Sequence, residues 1–376
     1  AYEIEVGDWC SDVCSSDLCG IGEEFIEAMA DAISTLAVDQ LHIIGDIFDR
    51  GAHPDAILDF LMDYHDVDFQ WGNHDIVWMG AATGNWACMT NILRMNISYN
   101  NFDMLEVGYG INLRPLASFA ARVYADDPCE KFMPHILDVN KYDPIDENLA
   151  AKMHKAIAIM QFKVEGQRIK AHPEYGMDKR LILDKIDFEN ATVEIEGKIW
   201  NLREANFPTI NKDAPYELSK EEEKVLKSLE ASIVNSEKLQ KHIRFLFSQG
   251  ALYKKINGNL MYHGCIPMTE DGEFAQVTIN GRTFAGKALM DYLDEQVRAA
   301  YYSPCESEET GRSGDLMWYL WEGGDSPLFG KEKMTTFERL FIADKAAHKE
   351  PTRPYYKLIK RSEEHTSELQ SPTSIS

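Results

Sequence analysis

Lysine and arginine are scarce beside the acids, 38 against 62, and the 376 residues carry a formal net charge of −24. A chain this acidic has no basis for nonspecific nucleic-acid binding, which depends on Lys and Arg neutralising phosphates. An anionic substrate must be drawn in locally, by metals and a few basic groups, against the overall field. Long apolar runs are missing as well. No stretch reaches the roughly 18 residues that a membrane-spanning helix requires, so no membrane partner is expected. Cysteine is sparse, with seven in the whole chain. With Cys10 and Cys14 set aside, Cys19, Cys88, Cys129, Cys265 and Cys305 are scattered and odd in number. That distribution suits free thiols in a reducing, cytoplasmic compartment better than a disulfide frame. No internal repeat or low-complexity tract stands out.

The two ends read differently from the rest. Residues 1–18, with Asp8-Trp9-Cys10-Ser11-Asp12-Val13-Cys14, and residues 361–376, with Ser362-Glu363-Glu364-His365-Thr366, resemble translated sequencing adapter read in opposite directions. They are set aside from fold reasoning. They carry −5 and −2 of the charge, which leaves −17. Cys10-x-x-x-Cys14 with Cys19 has no histidine or second cysteine pair beside it, which argues against zinc. The natural chain is expected to start near Cys19 and to be interrupted near Lys360.

What is present centres on Gly45-Asp46-Ile47-Phe48-Asp49-Arg50-Gly51 and Gly72-Asn73-His74-Asp75. Each follows a short apolar run, residues 41–44 and 69–71, and residues 54–65 between them have the spacing of a crossover helix. The unit reads as β-α-β with its polar residues at the carboxyl ends of the strands, where open α/β sheets place ligands. In that setting Asp46 suits a carboxylate shared by two hard cations, and Asn73 a neutral oxygen ligand. His74, oriented by Asp75 or Asp49, suits proton donation to a leaving oxygen, and Arg50 suits a clamp on phosphoryl oxygens.

These motifs resemble the calcineurin-like metallophosphoesterases, whose pattern runs D-x-H, G-D-x-x-D-R, G-N-H-D/E, a lone His, then G-H-x-H/P. The lone His is identified with His263, in Asn259-Leu260-Met261-Tyr262-His263-Gly264, where a neutral imidazole at a strand end is a sound metal ligand. Longer strings narrow the resemblance: residues 75–85, 108–116, 318–321, 326–330 and 334–339 are similar to the class III fructose-1,6-bisphosphatases of Firmicutes, over nearly all of residues 19–360. The resemblance implies a calcineurin-like β-sandwich with flanking helices and a helical insertion, within the α/β class. It also implies Mn²⁺ or Mg²⁺ at a dinuclear site and hydrolysis of fructose 1,6-bisphosphate to fructose 6-phosphate in gluconeogenesis. Protein or dinucleotide-polyphosphate phosphatases share the metal motifs but not the longer strings, and a catalytically dead regulatory homologue is a third alternative.

The first and last motifs of that pattern are absent. No Asp-x-His precedes Asp46, where His42 is the only histidine, and no Gly-His follows His263. The chain as it stands is therefore expected to bind metal weakly and to be inactive. Residues 19–119 and 249–360 are assigned to the phosphoesterase domain. Residues 120–248 are assigned to a mainly helical inserted lobe covering the active site, or alternatively to homo-oligomer assembly. Within these spans helices are expected at 76–99, 147–164, 217–247 and 286–302. Hairpins are expected at Glu196-Gly197 and Asn280-Gly281, and a mobile loop at 303–314. Among the basic residues from Arg282 to Lys360, Arg339 is the preferred substrate contact.

Overall fold

The computed structural model describes residues 22–136, 146–302 and 308–360. The two end segments, Cys19 and Cys305 lie outside the described residues. After α1 (Gly22–Ala37), β1 (Leu41–Ile43) leads through α2 (Pro54–Met62) to β2 (Val67–Gln70), and the strands pair in parallel with Leu41 opposite Val67. Pro54 opens α2, where its fixed φ and missing N–H cost nothing. All four residues of β2 are buried, as a parallel strand covered on both faces requires. The expected β-α-β unit is thus present.

Residues 76–99 do not form one helix. α3 (Asn73–Ala82) stops, and α4 (Trp86–Ser98) starts afresh. Gly84 takes φ +89°, a left-handed stop, and the Asn85 side chain caps the new helix by accepting from the Cys88 N–H. Both halves are buried core, with Trp78, Met79, Met89 and Ile92 fully enclosed.

α5 (Arg114–Val123) and α6 (Glu147–Ala171) follow, and α6 packs on both α4 and α5. It runs beyond the expected residue 164 because its buried face continues to Ile169. After the short β3 (Ile186–Asp187), β4 (Thr192–Ile195) and β5 (Lys198–Asn201) turn at Glu196-Gly197, both at positive φ as expected. The helical pattern at 217–247 is also two helices, α7 (Lys220–Val234) and α8 (Glu237–Gln249). The expected Ser219–Glu222 capping box starts α7, and Ser236 starts α8 by accepting from the Leu239 N–H.

β6 (Gly250–Ala251) joins β2 as a third parallel strand. β7 (Tyr253–Ile256) and β8 (Asn259–Tyr262) form the hairpin that delivers His263. β9 (Val277–Ile279) and β10 (Arg282–Phe284) flank Asn280-Gly281, again at positive φ, before α9 (Gly286–Tyr302). Of the loop expected at 303–314, residues 303–307 lie outside the described residues, and the chain is helical from Glu308, the start of α10 (Glu308–Glu322). The run from Leu316 to Trp321 buries against α3, and that tertiary packing carries the polar turn before it into helix. α11 (Thr336–Phe341) closes the core. Among the described residues the architecture is mixed α/β, with a three-stranded parallel sheet, a three-stranded antiparallel sheet and two two-stranded antiparallel hairpins. Among the described residues, no helix is long and apolar enough to cross a membrane.

Candidate active site

The two motif loops meet at the carboxyl ends of β1 and β2. Gly45 and Asp46 both take positive φ, +76° and +59°, which turns the chain sharply after β1. Gly72 lies so close that a Cβ there would sit 2.1 Å from Asp46 Oδ1, so no larger residue fits without moving the carboxylate. The buried Asp75 carboxylate accepts the N–H groups of Asp46 (2.8 Å), Ile47 (3.0 Å) and Gly72 (2.9 Å), tying one loop to the other.

Asp46 is held from two sides. Its Oδ1 accepts the His74 N–H at 3.0 Å, and its Oδ2 lies 3.2 Å from Nε2 of His263. The other His263 nitrogen, Nδ1, is 2.7 Å from the Ile44 carbonyl and donates to it. His74 Nε2 lies 3.1 Å from Asp49 Oδ1, so Asp49 is the carboxylate that holds this imidazole, while Asp75 faces the backbone. Trp321 meets the His74 ring edge-on at 4.8 Å. Asn73 donates its amide to the Trp321 carbonyl at 3.2 Å, leaving its oxygen free to act as an acceptor. Arg50 sits at φ +60° with Nε 3.2 Å from Asp49 and its guanidinium 5.5 Å from the Tyr99 ring centroid.

The charges respond to this enclosure. Burial opposes protonation of His263, but the Asp46 carboxylate and the Ile44 carbonyl outweigh it and raise its pKa to about 9. Burial pushes Asp46 upward, and the His263 contact with the nearby His74 overrides it, keeping the carboxyl below its usual value. Desolvation dominates at His74, which falls below its usual value despite Asp46 and Asp49. Desolvation also raises Asp75 to about 6, against the amides it accepts.

These donors suit a hard divalent cation. Ligand atoms of Asp46, Asp49 and His74 lie within 4.8 Å of one another, and His263 reaches the same Asp46 carboxylate. Carboxylate, amide and imidazole groups together are donors that a divalent metal ion takes.

The loops open onto a cavity of about 750 Å³, into which Arg50, Asn73, His74 and His263 face together with Arg339. The structure thus brings Arg339 to the same space, with its Nε 3.2 Å from Thr335 Oγ1 and its guanidinium 3.4 Å from Glu350. Sequence reasoning missed Arg94, Lys131, His135 and His154 in the wall, and held Lys331 only as one of several basic candidates. Arg94 lay within the helix expected at 76–99. A guanidinium in an otherwise apolar helix was the available signal.

Fold and site define an α/β protein with an acid and imidazole cluster at the carboxyl edge of a parallel sheet, opening onto a cationic cavity. The chain belongs to the Firmicute fructose-1,6-bisphosphatase family, whose model matches residues 17–371. It is 53% identical over 334 residues to the fructose-1,6-bisphosphatase class 3 of Clostridium acetobutylicum, covering 89% of this chain and 50% of that protein. The protein of the same name from Clostridium tetani is 52% identical over 337 residues, 90% of this chain and 51% of its own length. That of Alkaliphilus metalliredigens is 52% identical over 341 residues, with the same coverage. The chain therefore spans about half the length of the curated relatives it matches. No solved structure matches it.

Proposed function

We propose that this protein is a metal-dependent phosphomonoesterase that converts fructose 1,6-bisphosphate to fructose 6-phosphate and phosphate, a gluconeogenic step in the cytoplasm. The observation that carries this reading is the cavity. Its mouth holds Asn73, His74 and His263, with Asp46 behind His263, and its lining has five Arg or Lys side chains against the single carboxylate of Glu350, in a chain of net charge −24. Glu350 is already engaged by Lys331 at 2.7 Å and by Arg339. A substrate with one phosphate needs cations in one place, and a bisphosphate needs them in two. The names of the relatives supply the same substrate.

Mn²⁺ or Mg²⁺ held by Asp46, Asn73 and His263 would polarise the phosphoryl group and activate water. The chain's own residues do the rest. Arg50 steadies the phosphoryl oxygens, backed by Tyr99 and Asp49. Water adds to phosphorus as the bond to the sugar oxygen breaks, and that oxygen takes its proton from Nε2 of His74. Nε2 of His74 lies 3.1 Å from Asp49, which orients the ring and favours its protonated form, against the burial that lowers its proton affinity. Asp75 supports the reaction by fixing both loops, and Arg339 binds substrate from the opposite side.

This reading places the site on a calcineurin-like β-sandwich, with residues 120–248 inserted between 19–119 and 249–360 and a homo-oligomer as its assembly. Three ligands are fewer than the about six that Mn²⁺ takes, so the 376-residue chain alone should bind Mn²⁺ weakly and turn over nothing. Saturable, tight, stoichiometric Mn²⁺ binding by this chain in calorimetry would count against that. The reaction itself is tested with the gene at the full length of its relatives, given fructose 1,6-bisphosphate, a phosphopeptide and a dinucleotide polyphosphate in competition. Preference for the sugar bisphosphate is expected, and preference for either competitor would reassign the substrate.

A further inference from the structure

The far wall of the cavity contains a cation that the proposed chemistry does not use. Arg94 lines the space into which His74 and Arg50 face. Its Nε donates to Gln161 Oε1 at 2.6 Å, and among the described residues no carboxylate pairs with its terminal nitrogens. Burial depresses its proton affinity, and the buried Glu165 and Glu322 beyond Gln161 partly offset this. An arginine kept in that setting without a carboxylate partner is costly unless an anion arrives to meet it.

Its orientation is built. Gln161 Nε2 donates to Asn91 Oδ1 (3.0 Å) and Glu165 Oε1 (2.8 Å), which forces its oxygen toward Arg94. Asn91 donates to Glu165 at 2.7 Å and accepts from Trp321 Nε1 at 3.1 Å. Arg180 closes on Glu165 at 2.7 Å. The same Trp321 accepts from Asn73 and touches His74, so one network fixes the mouth and the wall together.

A second group points the same way. His154 is buried and lines the cavity, and its Nε2 has no partner. Its Nδ1 is 3.0 Å from the Phe132 carbonyl and so carries the proton, which leaves Nε2 as a lone-pair acceptor. Such an atom suits a sugar hydroxyl. Arg94 and Arg50, which rests on the ring of Tyr99 just beyond the end of α4, are two separate cations facing one cavity.

We propose that Arg94, aimed by Gln161 and flanked by the acceptor of His154, is the subsite for the phosphate that is not hydrolysed, and so the group that makes the enzyme prefer a bisphosphate. This rests on the sugar-bisphosphatase reading above. The test compares the full-length gene product with its Arg94→Gln and Arg94→Lys variants, using fructose 1,6-bisphosphate and p-nitrophenyl phosphate, which has a single phosphate. Arg94→Gln should raise KM for the bisphosphate about 10- to 100-fold, the loss of a charge-assisted phosphate contact. The fall in kcat/KM should be much smaller for p-nitrophenyl phosphate than for the bisphosphate, and Arg94→Lys should recover part of the loss. Calorimetry of fructose 6-phosphate with the metal-free protein reads the subsite without turnover, and binding should disappear in Arg94→Gln.

An equal loss on both substrates would overturn the subsite and make Arg94 a structural residue. A wild-type preference for the bisphosphate that survives Arg94→Gln would overturn the subsite while leaving the bisphosphatase reading intact. A wild-type protein with no such preference would overturn the reading on which both stand.

Discussion

At the mouth of the cavity, Asp46 and Asp75 stand 29 residues apart on two loops joined by one crossover, and the Asp75 contacts are to backbone amides. At the far wall, Arg94 is set by Gln161, 67 residues away, and Asn91 meets Glu165 across 74 residues, all through side chains buried between α4 and α6. The mouth owes its geometry to local chain conformation: positive φ at Gly45 and Asp46 and a glycine at 72 that nothing larger can replace. The wall owes its geometry to how two distant helices pack. Placement at the mouth is therefore a property of short segments, and placement at the wall is a property of the whole core.

If that division holds, substitutions at the mouth should act on turnover and those at the wall on substrate affinity. The largest effect is expected from Asp46→Asn, which removes the carboxylate that both His263 and the His74 amide address. Turnover of the full-length protein should fall to background, and Mn²⁺ binding measured by calorimetry should fall with it. His74→Asn comes next. It keeps size and polarity but cannot donate the proton, so kcat should drop about 10²- to 10⁴-fold, with KM for fructose 1,6-bisphosphate little changed. A rise in KM without a fall in kcat would move His74 from chemistry to binding and erase the contrast.

Arg339→Ala should be milder. This side chain is 56% exposed and shared with Glu350, so KM should rise only several-fold, less than for Arg94→Gln. The smallest effect concerns stability and touches only the wall. Burial, the Arg94 charge and nearby His135 lower the pKa of His154 to about 3, against about 6.5 in the unfolded chain. The folded protein binds fewer protons than the unfolded one between these values. The contribution of His154 is therefore fully present above about pH 6.5 and declines as pH falls toward 3, at up to about 1.4 kcal/mol per pH unit. His154→Gln should flatten that part of the slope in urea denaturation between about pH 7 and 4.5. An unchanged slope would mean that the histidine is hydrated.

The legibility of the molecule follows the same division. The β-α-β unit, both hairpins and the helix Gly286–Tyr302 were readable because strand alternation, Asn-Gly and Glu-Gly turns and helical spacing are local signals. Helix breaks at Gly84 and Ser236 were passed over because the apolar pattern runs through them, although each carries its own stop or cap. The helix from Glu308 could not be seen from its polar first turn, since what holds it is the apolar run that buries against α3.

By itself the sequence determined which polar groups gather at the mouth, because Asp46, Asn73, His74 and Asp75 sit in segments whose conformation is set by neighbouring residues, and His263 ends a strand. Only the tertiary structure decided that Asp49, not Asp75, holds the His74 ring, that His263 closes on Asp46, and that Arg94 and His154 face the same space. Those relations join residues far apart in the chain, and side-chain partners buried between separate helices are fixed by packing, which no local stretch of sequence specifies.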